Sequence, residues 1–317
     1  MVAAAPEGQV HSQGDMKILI TGAGGMLGTD LVARLDSTDQ LVGVGRKAAP
    51  RLGIPFKAAD LVKSGVAEET VRSVRPEIIL HAAAMTDVDG CETNRVEALR
   101  GNFQVARCVA DAANRVEALV IFFSTDFVFD GKKEGPYLET DVPHPISVYG
   151  ESKLLAERYL MLRSKRFLIL RTSWLFGNAG NNFPRKILKQ AASGKPFSVI
   201  SDQFGNPTFT GDLAEAVVKI LRVLSEKPGQ GLNEIYHVAN EGVVSRFEFA
   251  RTILRKKKGP ADLVTPISSE AAPPRPAARP RNSALSTAKL KERYGITLRH
   301  WEEALGAFLE EDRKLTV

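Results

Sequence analysis

The stretch KILITGAGGMLG, residues 17–28, decides the fold of this chain. A short run rich in β-branched residues ends at a cluster of glycines, and apolar residues then recur at helical spacing, as in a strand, a turn and a helix. Gly22 permits the tight turn, Gly25 lets a pyrophosphate approach backbone N–H groups at the helix N-terminus, and Gly28 allows close helix–strand packing. The pattern predicts a dinucleotide site whose contacts come from Gly22, Gly25, Met26, Leu27 and Gly28.

The alternation of strands and helices continues through the first half of the chain. Further strands are predicted near residues 41–44, 78–80, 119–123 and 167–170. Helices are predicted near residues 66–74 and 94–114, and from about residue 147. Repeated strand–helix units predict a Rossmann-type α/β fold, with a doubly wound parallel sheet covered by helices on both faces.

The second half has a mixed pattern, which predicts a smaller α/β lobe. Short strands are predicted near 196–201 and 235–239, and helices near 181–193, 211–224 and 245–256. We therefore expect a disordered extension over residues 1–15, a cofactor-binding domain over 16–171 and a mainly substrate-binding lobe over 172–317, with some later segments returning to the first domain. The proline-rich stretch 259–281 is either a linker or a lid over the substrate.

The composition excludes several classes of protein. With 44% apolar and 25% charged residues among 317, the chain resembles ordinary globular proteins, and no apolar run reaches the ~18 residues of a transmembrane helix. Residues 1–15 have neither the basic nor the apolar region of a targeting peptide. The net charge of +6 is spread thinly and indicates no nucleic-acid partner. Cys91 and Cys108 are too few for a disulfide framework and favour a reducing, cytoplasmic setting.

The residues that follow two of the predicted strands indicate which cofactor binds. The run Val44-Gly45-Arg46-Lys47 lacks the carboxylate that usually holds the ribose 2′-OH of NAD, whereas the Arg46 guanidinium can bind a 2′-phosphate and stack on adenine. We therefore expect NADPH, with NADH left open and a solvated surface arginine as the alternative. The small side chains of Ala82, Ala83 and Ala84 would let the backbone approach the nicotinamide ribose, although such residues are also common in helices.

Tyr149 and Lys153 are the centre of the chemical argument. Residues four apart share one face of a helix, so the phenol and the ammonium can converge, and a nearby cation should lower the pKa of the tyrosine. Tyr149 would then act as a general acid. Thr125 ends a predicted strand at the edge where open α/β sheets place ligands, and its hydroxyl can donate to a substrate oxygen. The structural alternatives are a half-buried tyrosine beside a solvated lysine, and a threonine that only ends its strand.

Four short blocks of sequence carry a family resemblance. They are STDFVFDG at 124–131, YGESK at 149–153, RTSWLFG at 171–177 and DQFGNPT at 202–208. Together, in this order, they resemble the dTDP-4-dehydrorhamnose reductase family of extended short-chain dehydrogenases/reductases. The resemblance implies NADPH-dependent reduction of the C4 ketone of dTDP-4-dehydro-L-rhamnose to dTDP-L-rhamnose.

The resemblance also implies roles for residues of the catalytic centre. Tyr149 would protonate the substrate oxygen, and Lys153 would hold the nicotinamide ribose. Thr125 completes the catalytic set. The sugar would be contacted by Thr125, Asp126 and Trp174.

Other expected roles lie further from the reacting atoms. By resemblance, Asp60 and Leu61 would hold the adenine edge, Asn102 would hold a water of a proton relay, and Arg281 would lie near the nucleotide end of the substrate. Some family members are described with a magnesium ion between subunits. We expect no metal site, because the acidic ligands for that ion cannot be matched here.

Several alternatives share this scaffold. Sugar-nucleotide dehydratases follow Thr-Asp with a glutamate, and Phe127 at that position argues against dehydration. A sugar-nucleotide epimerase would retain NAD, whereas Arg46 favours an exchangeable NADP(H). An NADP-binding regulatory subunit that resembles the methionine adenosyltransferase beta subunit stays open. The expected partner is a dTDP-sugar, with no nucleic acid or membrane, and a homodimer is left open.

Overall fold

The structure is a computed structural model that describes residues 16–315, with side chains described as far as residue 311. The predicted extension, residues 1–15, lies outside the described residues. No helix within the described range is both long and apolar enough to cross a membrane.

Strands and helices alternate along the described part of the chain. The strands are β1 (Lys17–Thr21), β2 (Gln40–Gly45), β3 (Phe56–Ala58), β4 (Ile78–His81), β5 (Leu119–Thr125), β6 (Phe167–Thr172), β7 (Leu175–Phe176), β8 (Phe197–Ile200), β9 (Phe204–Gly205), β10 (Thr208–Phe209), β11 (Glu234–His237), β12 (Val244–Ser245) and β13 (Val264–Ile267). The α-helices are α1 (Met26–Arg34), α2 (Val66–Val74), α3 (Val88–Thr93), α4 (Arg95–Ala98), α5 (Val105–Val116), α6 (Val148–Arg163), α7 (Phe183–Ala191), α8 (Thr210–Glu226), α9 (Arg246–Lys256), α10 (Ala288–Tyr294) and α11 (Trp301–Leu315).

Seven parallel strands form the central sheet, in the order β11-β6-β5-β4-β1-β2-β3. The inner strands β1, β4, β5 and β6 are largely apolar because both faces of the sheet are buried: Ile18 and Ile20 of β1 belong to one core, and Leu19 between them belongs to the other. The predicted Rossmann-type α/β fold is confirmed.

The registers of these strands place their carboxyl ends along one edge of the sheet. Thr21, the last residue of β1, pairs with Val44 of β2 and His81 of β4. Thr125 at the end of β5 pairs with Thr172 at the end of β6. Side chains that follow these strands therefore meet at this edge, where doubly wound sheets bind ligands.

The second half of the chain is shared between the main sheet and a smaller assembly. β11 pairs with β6 and is an edge strand of the main sheet, and α8 packs against α1. The other strands of this half form pairs: β7 with β10, β9 with β12 and β8 with β13. Their apolar cluster includes Phe176, Phe209, Phe249 and Phe308.

The helix predicted near 94–114 is interrupted. α4 ends at Ala98, a π-helical turn runs over Leu99–Gln104, and α5 begins at Val105. A π-turn inserts an extra residue into the backbone spacing, so a 3.6-residue periodicity does not reveal it. Asn102 lies in this turn and is 1% exposed.

The proline-rich stretch forms β13 and then a segment without helix or strand, residues 268–281, which we call the strap. One end is held by Ser269, whose hydroxyl donates to the Asp202 carboxylate at 2.6 Å. The other end leads into Asn282, whose backbone N–H donates to the Gly131 carbonyl oxygen at 3.2 Å. Between these ends, Arg279 donates to the carboxylate of Asp89 in α3, at 2.6 and 2.8 Å, so the strap is held at both ends and along its length.

Candidate active site

A crevice of about 1460 Å³ opens at the carboxyl edge of the sheet. The predicted site residues that line it are Gly22, Gly25, Met26, Leu27, Gly28, Ala82, Ala84, Thr125, Asp126, Tyr149, Lys153 and Trp174. The fold thus brings together residues that are up to half the chain apart in sequence.

Gly22 closes the turn between β1 and α1 in the left-handed region, with φ of +68°. A Cβ at this position would lie 2.8 Å from backbone atoms of Ala83, so the turn requires glycine for its conformation and for its close approach. Gly25 precedes α1 without a side-chain cap, so the first N–H groups of the helix are available to a ligand. These donors and the positive end of the helix dipole fit the pyrophosphate of a dinucleotide.

The three alanines lie in the loop after β4, which is neither helix nor strand. Thr21 Oγ1 is hydrogen-bonded to His81 Nδ1 at 2.7 Å and accepts the Ala83 N–H at 3.2 Å, which joins this loop to β1. Burial lowers the pKa of His81 to about 3, so the ring is neutral and supports the loop rather than exchanging protons. Ala82 and Ala84 present little more than backbone to the crevice.

Thr125, Tyr149 and Lys153 meet in the crevice. α6 begins just before Tyr149 because the Ser147 hydroxyl accepts the Gly150 N–H at 3.3 Å, an N-cap that sets where the helix starts. The four-residue spacing then places Tyr149 and Lys153 on one helix face, as predicted. The side chain of Thr125, at the end of β5, interacts with the Tyr149 phenol.

Burial dominates the titration of both residues on α6. It raises the pKa of Tyr149 above its ordinary value, and it lowers the pKa of Lys153 to about 7. The Lys153 ammonium donates to the Phe123 carbonyl oxygen at 2.6 Å and lies 4.0 Å from the centroid of the Phe122 ring. The prediction that Lys153 lowers the pKa of Tyr149 is therefore wrong, because burial dominates and raises this pKa. Tyr149 is a protonated donor at neutral pH.

Asp126 and Trp174 form the wall of the crevice beside Thr125, Tyr149 and Lys153. Asp126 is fully buried, accepts the Thr125 hydroxyl at 3.0 Å through Oδ1, and has no hydrogen-bond partner for Oδ2 among the described residues. Burial raises the pKa of this carboxyl to about 6. Trp174 has a left-handed backbone, with φ of 44°, and its indole N–H donates to the Ser283 hydroxyl at 3.2 Å. An acceptor beside an aromatic face suits a sugar ring.

Arg246 is a residue of this wall that the sequence analysis missed. Its guanidinium carbon lies 3.5 Å from the centroid of the Trp174 ring and 5.3 Å from that of Phe183. Burial lowers its pKa to about 10, which leaves it charged at neutral pH. Its only signal in the sequence is an arginine at the start of a predicted helix, and such a residue is ordinarily solvated.

Four of the predicted cofactor contacts do not line the crevice directly. Arg46 is exposed just beyond β2, and Asp60 Oδ1 accepts the Val62 N–H at 3.3 Å in the turn after β3. Leu61 is 6% exposed, and Ala83 contacts the glycine turn. In the described part of the chain, no group of three or more His, Cys, Asp or Glu residues could hold a metal ion.

Arg281 lies outside the lining of the crevice. It is exposed, and its carbonyl oxygen accepts the Phe204 N–H at 2.8 Å. The arginines of the strap that do line the crevice are Arg275 and Arg279. A substrate contact of Arg281 stays a prediction, and this structure does not place the residue at the crevice.

Asn102 connects the loop after β4 to α6. Its side-chain oxygen accepts the Met85 N–H at 2.7 Å, and its amide donates to the Met85 carbonyl oxygen at 3.1 Å and to the Ser152 hydroxyl at 2.9 Å. The Ser152 hydroxyl in turn donates to the Tyr149 carbonyl oxygen at 2.7 Å. Both amide hydrogens of Asn102 are used, so neither is available for the predicted relay water.

The fold and the crevice define a short-chain dehydrogenase/reductase, in which a glycine turn for a dinucleotide lies beside a Thr–Tyr–Lys set. The family model described as RmlD substrate binding domain matches residues 16–314. The chain belongs to the dTDP-4-dehydrorhamnose reductase family, as its four sequence blocks implied.

Individual relatives agree with this assignment. The chain is 38% identical to the dTDP-4-dehydrorhamnose reductase of Aggregatibacter actinomycetemcomitans, over 91% of this chain and 97% of that protein. It is 35% identical to the Escherichia coli K12 protein of the same name, over 93% and 98%. The crystal structure of the Bacillus anthracis dTDP-4-dehydrorhamnose reductase in complex with NADP superposes with a TM-score of 0.84, at 33% identity over 94% and 99% of the two chains.

Proposed function

We propose that this protein reduces the C4 ketone of dTDP-4-dehydro-L-rhamnose to dTDP-L-rhamnose with NADPH. The observation that carries the proposal is the meeting of Thr125, Tyr149 and Lys153 in the crevice that also holds the open N-terminus of α1. The curated relatives named above are reductases of this substrate, and one solved relative was crystallised with NADP.

The residues present fit the cofactor. The glycine turn accommodates a pyrophosphate, and the alanine loop leaves room for the nicotinamide ribose, whose hydroxyls Lys153 would hold. Arg46, together with Asp60 and Leu61, would bind the adenosine end, where an arginine favours a 2′-phosphate. When bound, the reduced nicotinamide supplies the hydride for the ketone.

Tyr149 acts as the general acid in this proposal. Because burial keeps the phenol protonated, it can donate a proton to the substrate oxygen as negative charge develops there. Thr125 donates a hydrogen bond to the same oxygen and stabilises that charge. Asp126 accepts from a sugar hydroxyl, and Trp174 packs against the ring.

The two halves of the chain have different binding roles in this proposal. We propose that residues 16–171 mainly bind the cofactor and that residues 172–317 mainly bind the substrate. The free thiols of Cys91 and Cys108 are compatible with a reaction in the cytoplasm.

Turnover distinguishes an enzyme from a regulatory subunit. NADPH oxidation is followed by absorbance with dTDP-4-dehydrorhamnose generated in situ, and UDP- and GDP-linked 4-keto sugars serve as comparisons. We expect oxidation that depends on the dTDP-sugar and yields dTDP-rhamnose. Tight NADPH binding without turnover on any of the three sugars would favour the regulatory role instead.

A further inference from the structure

Glu157 is a fully buried carboxylate on the helix that carries Tyr149 and Lys153. The three residues follow one another along α6 at intervals of four, so Glu157 lies one turn beyond Lys153 on nearly the same face. Its exposed fraction is 0%. Unlike the other two, Glu157 does not line the crevice, so it does not touch a ligand there. Any part that it has in the reaction must therefore act through the residues that it contacts.

The Glu157 carboxylate connects α6 to the ends of two strands. Ser124, the next-to-last residue of β5, donates its hydroxyl to Oε1 at 2.5 Å. Arg171, the next-to-last residue of β6 and 1% exposed, donates from Nε to Oε1 at 3.0 Å and from Nη2 to Oε2 at 2.7 Å. Ser124 and Arg171 are partners in the register of the two strands. One carboxylate therefore fixes the helix to both strands at the same level.

The end of β5 holds the groups on either side of Ser124. The Phe123 carbonyl oxygen accepts the Lys153 ammonium at 2.6 Å. Thr125 carries the hydroxyl that interacts with the phenol of the general acid. Because Ser124 lies between these two residues, its hydrogen bond to Glu157 fixes both of them relative to α6.

Stability alone does not explain this ion pair. Taking two charges out of water is costly, and their attraction offsets the cost only when the geometry is good and the remaining donors are paired. Here Arg171 Nη1 is buried and has no hydrogen-bond partner among the described residues. Uncharged residues of similar volume often replace such a pair without loss of stability. What the pair holds in place is therefore the better explanation for it.

We propose that Glu157 is a positioning residue of the reduction, whose carboxylate holds the end of β5 against α6 so that Thr125, Tyr149 and Lys153 face the same ligands. The inference rests on the proposed function, because it assigns Glu157 to the geometry of that reaction. A displacement of reacting groups by about 1 Å costs about 100-fold in rate. The hydrogen bond that sets the spacing of β5 and α6 should therefore affect kcat more than the affinity for NADPH, to which the glycine turn also contributes.

The charge of Glu157 also acts on Lys153. The titratable side chains around this amine are Tyr149 and Glu157 on α6, His81 on β4 and, beyond Glu157, Arg171 on β6, while β5 has only uncharged residues. Tyr149 and His81 are uncharged at neutral pH, and Glu157 raises the pKa of Lys153 against the larger effect of burial. Glutamine at position 157 would remove this attraction and leave the charge of Arg171 unbalanced, and both changes lower the pKa of Lys153.

Two variants separate position from charge. Ser124→Ala removes the hydrogen bond to β5 and keeps the ion pair with Arg171, whereas Glu157→Gln removes the charge. Tyr159→Phe is the matched control, because it removes a hydroxyl–carboxylate hydrogen bond of the same helix, to Asp111 at 2.7 Å, outside the crevice. NADPH oxidation with dTDP-4-dehydrorhamnose and fluorescence titration with NADPH are measured at a series of pH values. The value of kcat is expressed per NADPH-binding site, so that unfolded protein does not count.

We expect Ser124→Ala to lower kcat about 10-fold, with the Kd for NADPH within about 2-fold and the pH profile of kcat/KM for NADPH unmoved. Glu157→Gln should lower kcat about 10- to 100-fold. It should also move the alkaline limit of kcat/KM for NADPH, and that of NADPH affinity, to lower pH by about one unit, because the free enzyme then loses the Lys153 proton earlier. The titration of NADPH itself is common to all variants and cancels, and the control should change neither kcat nor the profile.

A kcat of Ser124→Ala within about 2-fold of wild type, an equal loss in Tyr159→Phe, or an unmoved profile in Glu157→Gln would each overturn the proposal. If Glu157→Gln does not fold, Ser124→Ala decides alone, since it keeps the ion pair. A wild-type protein without turnover would refute the reductase. In that case a shifted profile of NADPH affinity in Glu157→Gln would still support the action of Glu157 on Lys153, and an unshifted profile would overturn it.

Discussion

Replacing Lys153 with methionine should remove a specific pH dependence of stability. Methionine keeps most of the aliphatic stem that fills the space between Phe122 and α6, but it carries no charge and no donor for the Phe123 carbonyl oxygen. The difference between wild type and Lys153→Met therefore isolates the titration of one buried amine from that of every other group in the protein.

The magnitude follows from the pKa of that amine. It is 10.5 for an ordinary lysine and about 7 in the folded protein, because burial penalises the charged form. Below pH 7 the amine is protonated in both states, so it adds no slope. Above pH 7, and up to about pH 10.5, the unfolded chain binds one proton more than the folded chain, so the free energy of unfolding rises with pH. Between pH 6 and pH 9 the rise amounts to roughly 3 kcal/mol.

Urea unfolding of both proteins at a series of pH values, without NADPH, measures this difference. Tryptophan fluorescence is a suitable signal, and urea does not screen charges as guanidinium does. We expect wild type to gain roughly 3 kcal/mol relative to Lys153→Met between pH 6 and pH 9. Two profiles that run parallel over this range would refute the reasoning, because they would mean that Lys153 keeps its ordinary pKa in the folded protein.

Three further predictions concern the site. Tyr149→Phe should lower kcat at least ~100-fold, because the general acid is lost. The Kd for NADPH, measured by fluorescence titration, should stay within about 2-fold of the wild-type value. A kcat near that of wild type would exclude the general-acid role. Gly22→Ala should lower the free energy of unfolding by more than Gly53→Ala. Both glycines have a positive φ, but only at Gly22 would the new Cβ clash with backbone, that of Ala83. Urea unfolding of the two variants tests this, and equal losses would show that φ alone matters. Arg46→Ala should raise KM for NADPH far more than KM for NADH, and steady-state kinetics that show equal effects would contradict a 2′-phosphate contact.

The sequence was sufficient to predict the fold and the meeting of Thr125, Tyr149 and Lys153, because both depend on local patterns. Continuous apolar runs separated by helical segments predict a parallel sheet, and the carboxyl ends of its strands necessarily share an edge. Thr125 follows such a strand, and Tyr149 and Lys153 are spaced for one helix face. Their convergence follows from these two facts without knowledge of the rest of the chain.

Other properties of the site depend on packing between distant segments, and the sequence did not reveal them. The pKa of Tyr149 is set by how completely the surrounding elements exclude water, which no spacing encodes. Arg246 contacts Trp174 only because β12, which leads into α9, pairs with the distant strand β9. Arg275 and Arg281 are similar in local sequence, and the anchoring of the strap decides which of them faces inward.

The placement of β11 at the edge of the sheet, next to β6, bears on how the protein is made. A nascent chain that has emerged from the ribosome only as far as residue 171 would lack both β11 and α8, so β6 would be an unpaired edge and α1 would lack its covering helix. Such an edge can pair with other chains. The first half therefore cannot complete its packing before α8 and β11 have been synthesised. Until then, chaperones that shield exposed strands can bind the edge of β6.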